Sequence, residues 1–178
     1  WSYYPTKVGH MHPNLDFDLL GAQIEACHEI GVLCPIYFTF GWSHTDAIRH
    51  PEWCGRNQDG TMITTSDYNF DAKPNDPKPS FHWINMCVNT PYHDHIMEQV
   101  EEICEMYPVD GFWFDIYQVA RPCYCETCQK LMKQQGFKVG NKQDAERFQG
   151  ESFKQHQRQL SKLIRGHHPD ATIYFNGC

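Results

Sequence analysis

Two groups of residues have the types and spacing to do chemistry. The first is a single carboxylate, Asp115, which closes the run "VDGFWFD". An ionised Asp is costly to hold in apolar surroundings. An acid directly after Phe112, Trp113 and Phe114 is therefore either solvated in a cleft or put to use there. At an open sheet edge it could act as a nucleophile or as a general acid, with its environment deciding which. The other reading is a buried acid that pairs with an arginine or caps a loop. The second group is the C-x-C-x-x-C of Cys123, Cys125 and Cys128. Thiols this close cannot all pair as disulfides without strain, but they can converge on one soft cation, and zinc takes four ligands in a tetrahedron. Cys87 is the best fourth ligand. It stands just before the helix that precedes the Asp115 strand, so it should emerge on the same rim; Cys54 is the reserve. Four thiolates leave no open position for water, which makes such a zinc site structural. The competing reading is a loop of free thiols. Cys27, Cys34 and Cys104 sit at apolar positions and read as core.

These residues need elements to carry them. Residues 1–14 read as a loop, and Asn14 or Asp16 could cap a helix through about residue 30, with Phe17, Leu20, Ile24 and Cys27 at helical spacing. Gly31 stops it. The run 32–40, "VLCPIYFTF", is nearly all apolar, as in a strand covered on both faces of a parallel sheet. A long irregular stretch, 41–86, follows, and its length implies a task or small elements of its own. A helix begins near Pro91 and buries Ile96, Val100, Ile103 and Cys104. The second strand is 109–117. A short helix ends at Gly136, a longer and more polar one could break at Gly150, and a third strand covers 171–177. This alternation with helix-length crossovers predicts an α/β fold with a parallel sheet, either doubly wound or part of a (β/α)8 barrel.

Each predicted strand ends in residues suited to chemistry or sugar contact, at the edge where α/β sites are built. Trp42 and His44 follow the first, with Trp42 a natural sugar platform or else a core plug. Asp115 and Tyr117 end the second, and Tyr117 falls on the same face as Asp115. Asn176 ends the third, though "NG" is also an ordinary turn. Glycoside hydrolysis needs two carboxylates, and the second is not evident: Asp46 and Glu52 in the long stretch could equally be surface acids or caps. The acids of "MEQVEEICE" read as a solvated helix face.

The bulk numbers narrow the classes. With 178 residues the chain can bury a core. Its 40% hydrophobic and 21% charged residues exclude a disordered chain, and 14% aromatics suit a carbohydrate binder. A net charge of −7 with no adjacent Lys/Arg pair gives no basic stripe, so no nucleic-acid partner is expected. No apolar run reaches transmembrane length, so no membrane partner is expected. Nine cysteines, an odd number, argue against a full disulfide framework and for a reduced, cytoplasmic protein with some metal-bound thiols. The ends look cut, which suggests part of a longer chain.

Three stretches, "YYPTKVGHMHPNLDFDLLGAQIEACHEIGVLCPIYFTFGW", "HPEWCGRNQDG" and "DGFWFDIY" with "PCYCETCQKLM", resemble hypothetical glycosyl hydrolase family 6. Those proteins are amylase-like (β/α)8 barrels, some within bacterial α-L-fucosidases that carry a trimerisation domain. The resemblance covers most of residues 3–135. It implies that residues 1–178 are one fragment of a catalytic barrel domain, a partial (β/α)8 TIM barrel with roughly strands 3 to 5. It also implies a carbohydrate substrate and a homo-oligomer of the full-length protein. Tyr4, His10 and His12 in the opening loop would then face the cleft; H-x-H spacing alone is a weak metal signal. "MCVNTPY" with "CYCETC" is similar to the structural zinc pattern of family 42 β-galactosidases, which implies the ligand set Cys87, Cys123, Cys125 and Cys128. Those enzymes carry an Asn-Glu pair where this chain reads "FDIY". The strand-end Asp115 looks instead like the nucleophile of retaining α-L-fucosidases. A β-galactosidase-like hydrolase, a non-catalytic carbohydrate-binding fragment and a zinc-dependent hydrolase are the alternatives.

Overall fold

The computed structural model describes residues 1–64, 83–116 and 121–177. Three short strands, β1 (Ile36–Thr39), β2 (Gly111–Asp115) and β3 (Thr172–Phe175), form a parallel sheet in the order β1-β2-β3. Register aligns Ile36 with Phe112 and Thr39 with Asp115, while Gly111 aligns with Thr172 and Phe114 with Phe175. The fold is thus mixed α/β with helical crossovers between parallel neighbours.

Side chains alternate across a strand, and the two faces differ sharply. Ile36, Phe112 and Phe114 are buried, and Phe38, Ile173 and Phe175 pack against the same core. They meet Ile96, Val100, Ile103 and Cys104 of α3 (Tyr92–Met106) and Phe153, Leu160 and Ile164 of α5 (Lys142–His167). Burying a ring such as Phe112 or Phe114 stabilises by roughly 1.5–3 kcal/mol. On the opposite face Tyr37, Trp113 and Tyr174 stay 61%, 42% and 52% exposed. Of the two faces of the first strand expected to be covered, described residues cover one.

Helix α1 (Leu19–Glu29) begins later than predicted. Its cap is Asp18, which accepts from the Gly21 amide at 2.9 Å and from the Tyr107 hydroxyl at 2.8 Å. A tertiary partner selects the cap over Asn14 and Asp16. Ile24 is its one buried residue, whereas Phe17 is 53% exposed. The stretch after β1 has small elements: α2 (His44–Arg49), a 3-10 turn (Pro51–Trp53) and isolated antiparallel bridges such as Trp42 to Asn85 and Cys54 to Met86.

Helix α4 (Glu126–Gln134) is followed by Gly136 at φ +81°, a left-handed stop that glycine tolerates without strain. α5 runs unbroken through Gly150, contrary to the expected break. Phe148 and Phe153, buried on either side of the glycine, outweigh its propensity cost of about 1 kcal/mol. Cys87, Cys123, Cys125, Cys128, Met132, Ala145 and Phe148 form a second, smaller core beside the main one.

Candidate functional site

Asp115 ends the middle strand, half-buried, and its carboxylate is held from both flanking strands. The Tyr37 hydroxyl of β1 donates to Oδ2 at 2.5 Å, and Asn176 Nδ2, just past β3, donates to Oδ1 at 2.5 Å. The Asn176 amide also continues the ladder by donating to the Phe114 carbonyl at 2.8 Å. The Tyr37 and Asn176 donors outweigh desolvation and hold the Asp115 carboxyl below the usual carboxylate range. Burial, and then the carboxylate itself, push the Tyr37 phenol up. The group is therefore an ionised acid with neutral donors on both oxygens, and its partners are not the arginine considered above.

The backbone beside it is strained. Ile116 sits at φ +51°, a conformation that costs a β-branched residue on the order of 1–3 kcal/mol. Its carbonyl is pressed against Gly41 so closely that a Cβ there would collide with it. The loop after β1 and the turn after Asp115 thus fix each other.

The remaining predicted site residues fall in several places. Asn176 is aimed at Asp115. Trp42 lies half-buried at the end of β1, stacked on Trp83 with centroids 5.7 Å apart. His44 is the exposed first residue of α2. Tyr4 is 3% exposed and donates to Glu102 Oε2 at 2.9 Å. His10 takes a hydrogen bond from the Arg49 guanidinium at 2.9 Å, and His12 stacks on Tyr3 at 5.7 Å. Tyr117 lies outside the described residues. The structure therefore joins Asn176 to Asp115 and leaves Tyr4, His10 and His12 engaged with other partners.

Two contributors escape the sequence reading. Tyr37 is invisible in an apolar run until register places it beside Trp113 on the Asp115 face. Glu102, read as a solvated acid, instead accepts from Tyr4, from Thr6 Oγ1 at 2.5 Å and from the Lys7 amide at 2.6 Å, which pins the opening loop to α3.

Cys87, Cys123, Cys125 and Cys128 converge, all buried, with every sulfur within 4.8 Å of the others. Cys87 Sγ lies 3.4 Å from Cys128 Sγ and 3.8 Å from Cys125 Sγ. These separations exceed a disulfide bond and match the sulfur–sulfur distance of about 3.8 Å in a tetrahedron with 2.3 Å metal–sulfur bonds. The donors around the sulfurs suit thiolates. The Arg56 and Cys125 amides each point at Cys123 Sγ at 3.4 Å, and Asn89 Nδ2 points at Cys128 Sγ at 3.3 Å. The residues present fit a metal ion. Cys54 is not in the cluster; its thiol packs in the main core, pushed up to about 11 by burial.

A parallel sheet with an acid at the C-terminal end of its central strand is the setting in which α/β hydrolytic sites are built. The family described as hypothetical glycosyl hydrolase 6 matches residues 1–116, and the chain belongs to it. Among solved structures, alpha-L-fucosidase isoenzyme 2 from Paenibacillus thiaminolyticus is similar at 36% identity and a TM-score of 0.83. The alignment covers 99% of this chain and 25% of the fucosidase, so the chain spans about a quarter of that protein's length. No curated protein sequence matches the chain.

Proposed function

We propose that this chain is part of the catalytic domain of a retaining glycoside hydrolase of the α-L-fucosidase type, and that Asp115 is its nucleophile. The observation that carries the reading is the Asp115 carboxylate at the end of the central strand, ionised and held by Tyr37 and Asn176. On this reading the three strands belong to a (β/α)8 barrel. The face bearing Tyr37, Trp113 and Tyr174 is its interior, where inward side chains stack in layers. That accounts for three large aromatics left uncovered by the described helices.

In the reaction, an Asp115 oxygen attacks the anomeric carbon as the leaving group takes a proton from a second carboxylic acid. Water then displaces the carboxylate, with overall retention. The second acid is expected on another strand end. Asp46 accepts from Ser43 and faces His95, and Glu52 lies against His50, so neither is proposed for the task. Trp42 and His44 follow β1 on the same rim as Asp115 and are proposed sugar contacts. Tyr4, buried against Glu102, would contact sugar only if its loop moved, whereas His10 and His12 are half-exposed, His10 beside Arg49 of α2, and are proposed sugar contacts as well. The four cysteines are proposed to hold a structural zinc that fixes the loop after β2 against the segment before α3. Bound there, the metal supplies no open coordination position, so its chemistry is cross-linking.

The test uses the intact polypeptide that carries this chain. Asp115→Gly should abolish turnover of 4-nitrophenyl α-L-fucoside, and added azide should restore release of nitrophenol with a fucosyl azide of inverted configuration as product. Wild-type turnover by Asp115→Gly defeats the assignment. An intact protein that binds fucose without hydrolysing fucosides supports the non-catalytic alternative instead.

A further inference from the structure

Resting on the reading of Asp115 as nucleophile, we infer that Tyr37 is a positioning residue whose hydroxyl, from the neighbouring strand, holds Asp115 Oδ2 and speeds breakdown of the glycosyl-enzyme. The geometry comes from three strands. Thr39 and Asp115 share a row of the sheet, and Asn176 follows Phe175 at the end of β3. Tyr37 is two residues below Thr39 and aligns with Trp113. Two strand residues span about 6.5–7 Å, which only a long side chain with a terminal donor can bridge. Tyr37 does so and reaches Oδ2 at 2.5 Å, leaving Asn176 to take Oδ1. Each oxygen thus has its own donor, and the carboxylate cannot rotate without breaking one of them.

The two donors matter differently through the cycle. When the ester forms, the bonded oxygen loses its charge and a hydrogen bond to it weakens. In the second half the ester C–O bond breaks, its electron pair returns to Asp115, and the proton of the attacking water passes to the acid/base carboxylate. A donor on the departing oxygen strengthens as that charge returns, and only interactions that strengthen in the transition state accelerate a step. Around the carboxylate lie Tyr37 and Thr39 from β1, Asn176 from just past β3, and Trp113 and the Ile116 amide from its own segment. Of these, Tyr37 alone titrates besides Asp115, and its raised phenol stays protonated across the working range.

The experiment is stopped-flow hydrolysis of 2-chloro-4-nitrophenyl α-L-fucoside by the intact polypeptide. A hydrogen bond to a charged group corresponds to about ten- to a hundredfold, so Tyr37→Phe should lower kcat by that factor. KM should fall with it, a burst of one phenol per active site should appear, and azide should raise kcat of the variant. The acid limb of kcat/KM should move up by on the order of one pH unit, because loss of the donor raises the carboxyl. Asn176→Ala should shift the same limb and serves as the second variant if Tyr37→Phe does not fold. An unmoved acid limb with no burst, in a folded variant of a protein whose Asp115→Gly form is inactive and rescued by azide, overturns the role of Tyr37 alone. Full activity of Asp115→Gly overturns the nucleophile reading beneath it.

Discussion

Removing one thiol from the four-cysteine site should release the whole second core. Consider Cys87→Ser. Cys87 is fully buried, 3.4 Å from Cys128 Sγ and 3.8 Å from Cys125 Sγ. It is also the single ligand that comes from the segment before α3. The other three come from the loop after β2 and the first turn of α4. With a bound ion, Cys87 cross-links two segments that the described residues otherwise join by few polar contacts, such as Asn89 Nδ2 to Cys128 Sγ at 3.3 Å. Apparent binding free energies of structural zinc sites are about 10–16 kcal/mol, as large as the whole stability of an ordinary domain, about 5–15 kcal/mol. Losing even a third of that would cancel most of what Met132 and Phe148 contribute by packing, at about 1.5–3 kcal/mol each. The protein purified under reducing conditions should contain one zinc per chain by plasma mass spectrometry. Cys87→Ser should contain much less, and hydrogen exchange should accelerate through residues 123–150 while the β2 amides stay protected. A metal-free wild-type protein with unchanged melting temperature and unchanged exchange in 123–150 would refute the reasoning.

Two further substitutions test the packing around the sheet edge and the opening loop. Gly41→Ala places a methyl group against the Ile116 carbonyl; it should destabilise by about 1–3 kcal/mol in urea denaturation, and a neutral result would mean that the close approach is not maintained. Burial raises the Glu102 carboxyl, but donors from Thr6, the Lys7 amide and Tyr4 outweigh it and hold it below its usual range. A depressed folded pKa contributes stability above the unfolded value and loses it as pH falls through the folded one, so the opening loop should become protease-sensitive below about pH 4. Glu102→Ala should make that loop sensitive at pH 7 and cost about 1–2 kcal/mol, measured by trypsin cleavage after Lys7 and by denaturation.

Which features were legible in the sequence follows from the range of the forces involved. The buried face of α3 was readable because Ile96, Val100 and Ile103 recur at a local period. Cys87 was readable because tetrahedral sulfur chemistry demands a fourth thiol near the same rim. The start of α1 was misplaced because the choice among three polar residues is made by the Tyr107 hydroxyl, 89 residues away in the chain. The small elements of 41–64 were anticipated from the length of the stretch but not located, because most of its isolated bridges reach across to 84–86 and follow no local repeat.

The puzzle of an acid after an aromatic run also resolves through alternation. "FWFD" looks like a uniformly buried segment, which would make Asp115 expensive. In the strand, Phe112 and Phe114 point to the helices, whereas Trp113 and Asp115 share the opposite face. The carboxylate therefore never enters the phenylalanine core. It sits one layer above Trp113 at the sheet edge, where Tyr37 and Asn176 supply the hydrogen bonds that water would otherwise make. A period of two, applied strictly from Asp115 backwards, separates the rings of the core from the ring beneath the acid. What it cannot yield is the donor from β1, because that depends on which residue of a different strand lies two positions below. Register is set by the packing of the whole sheet, and only the folded chain displays it.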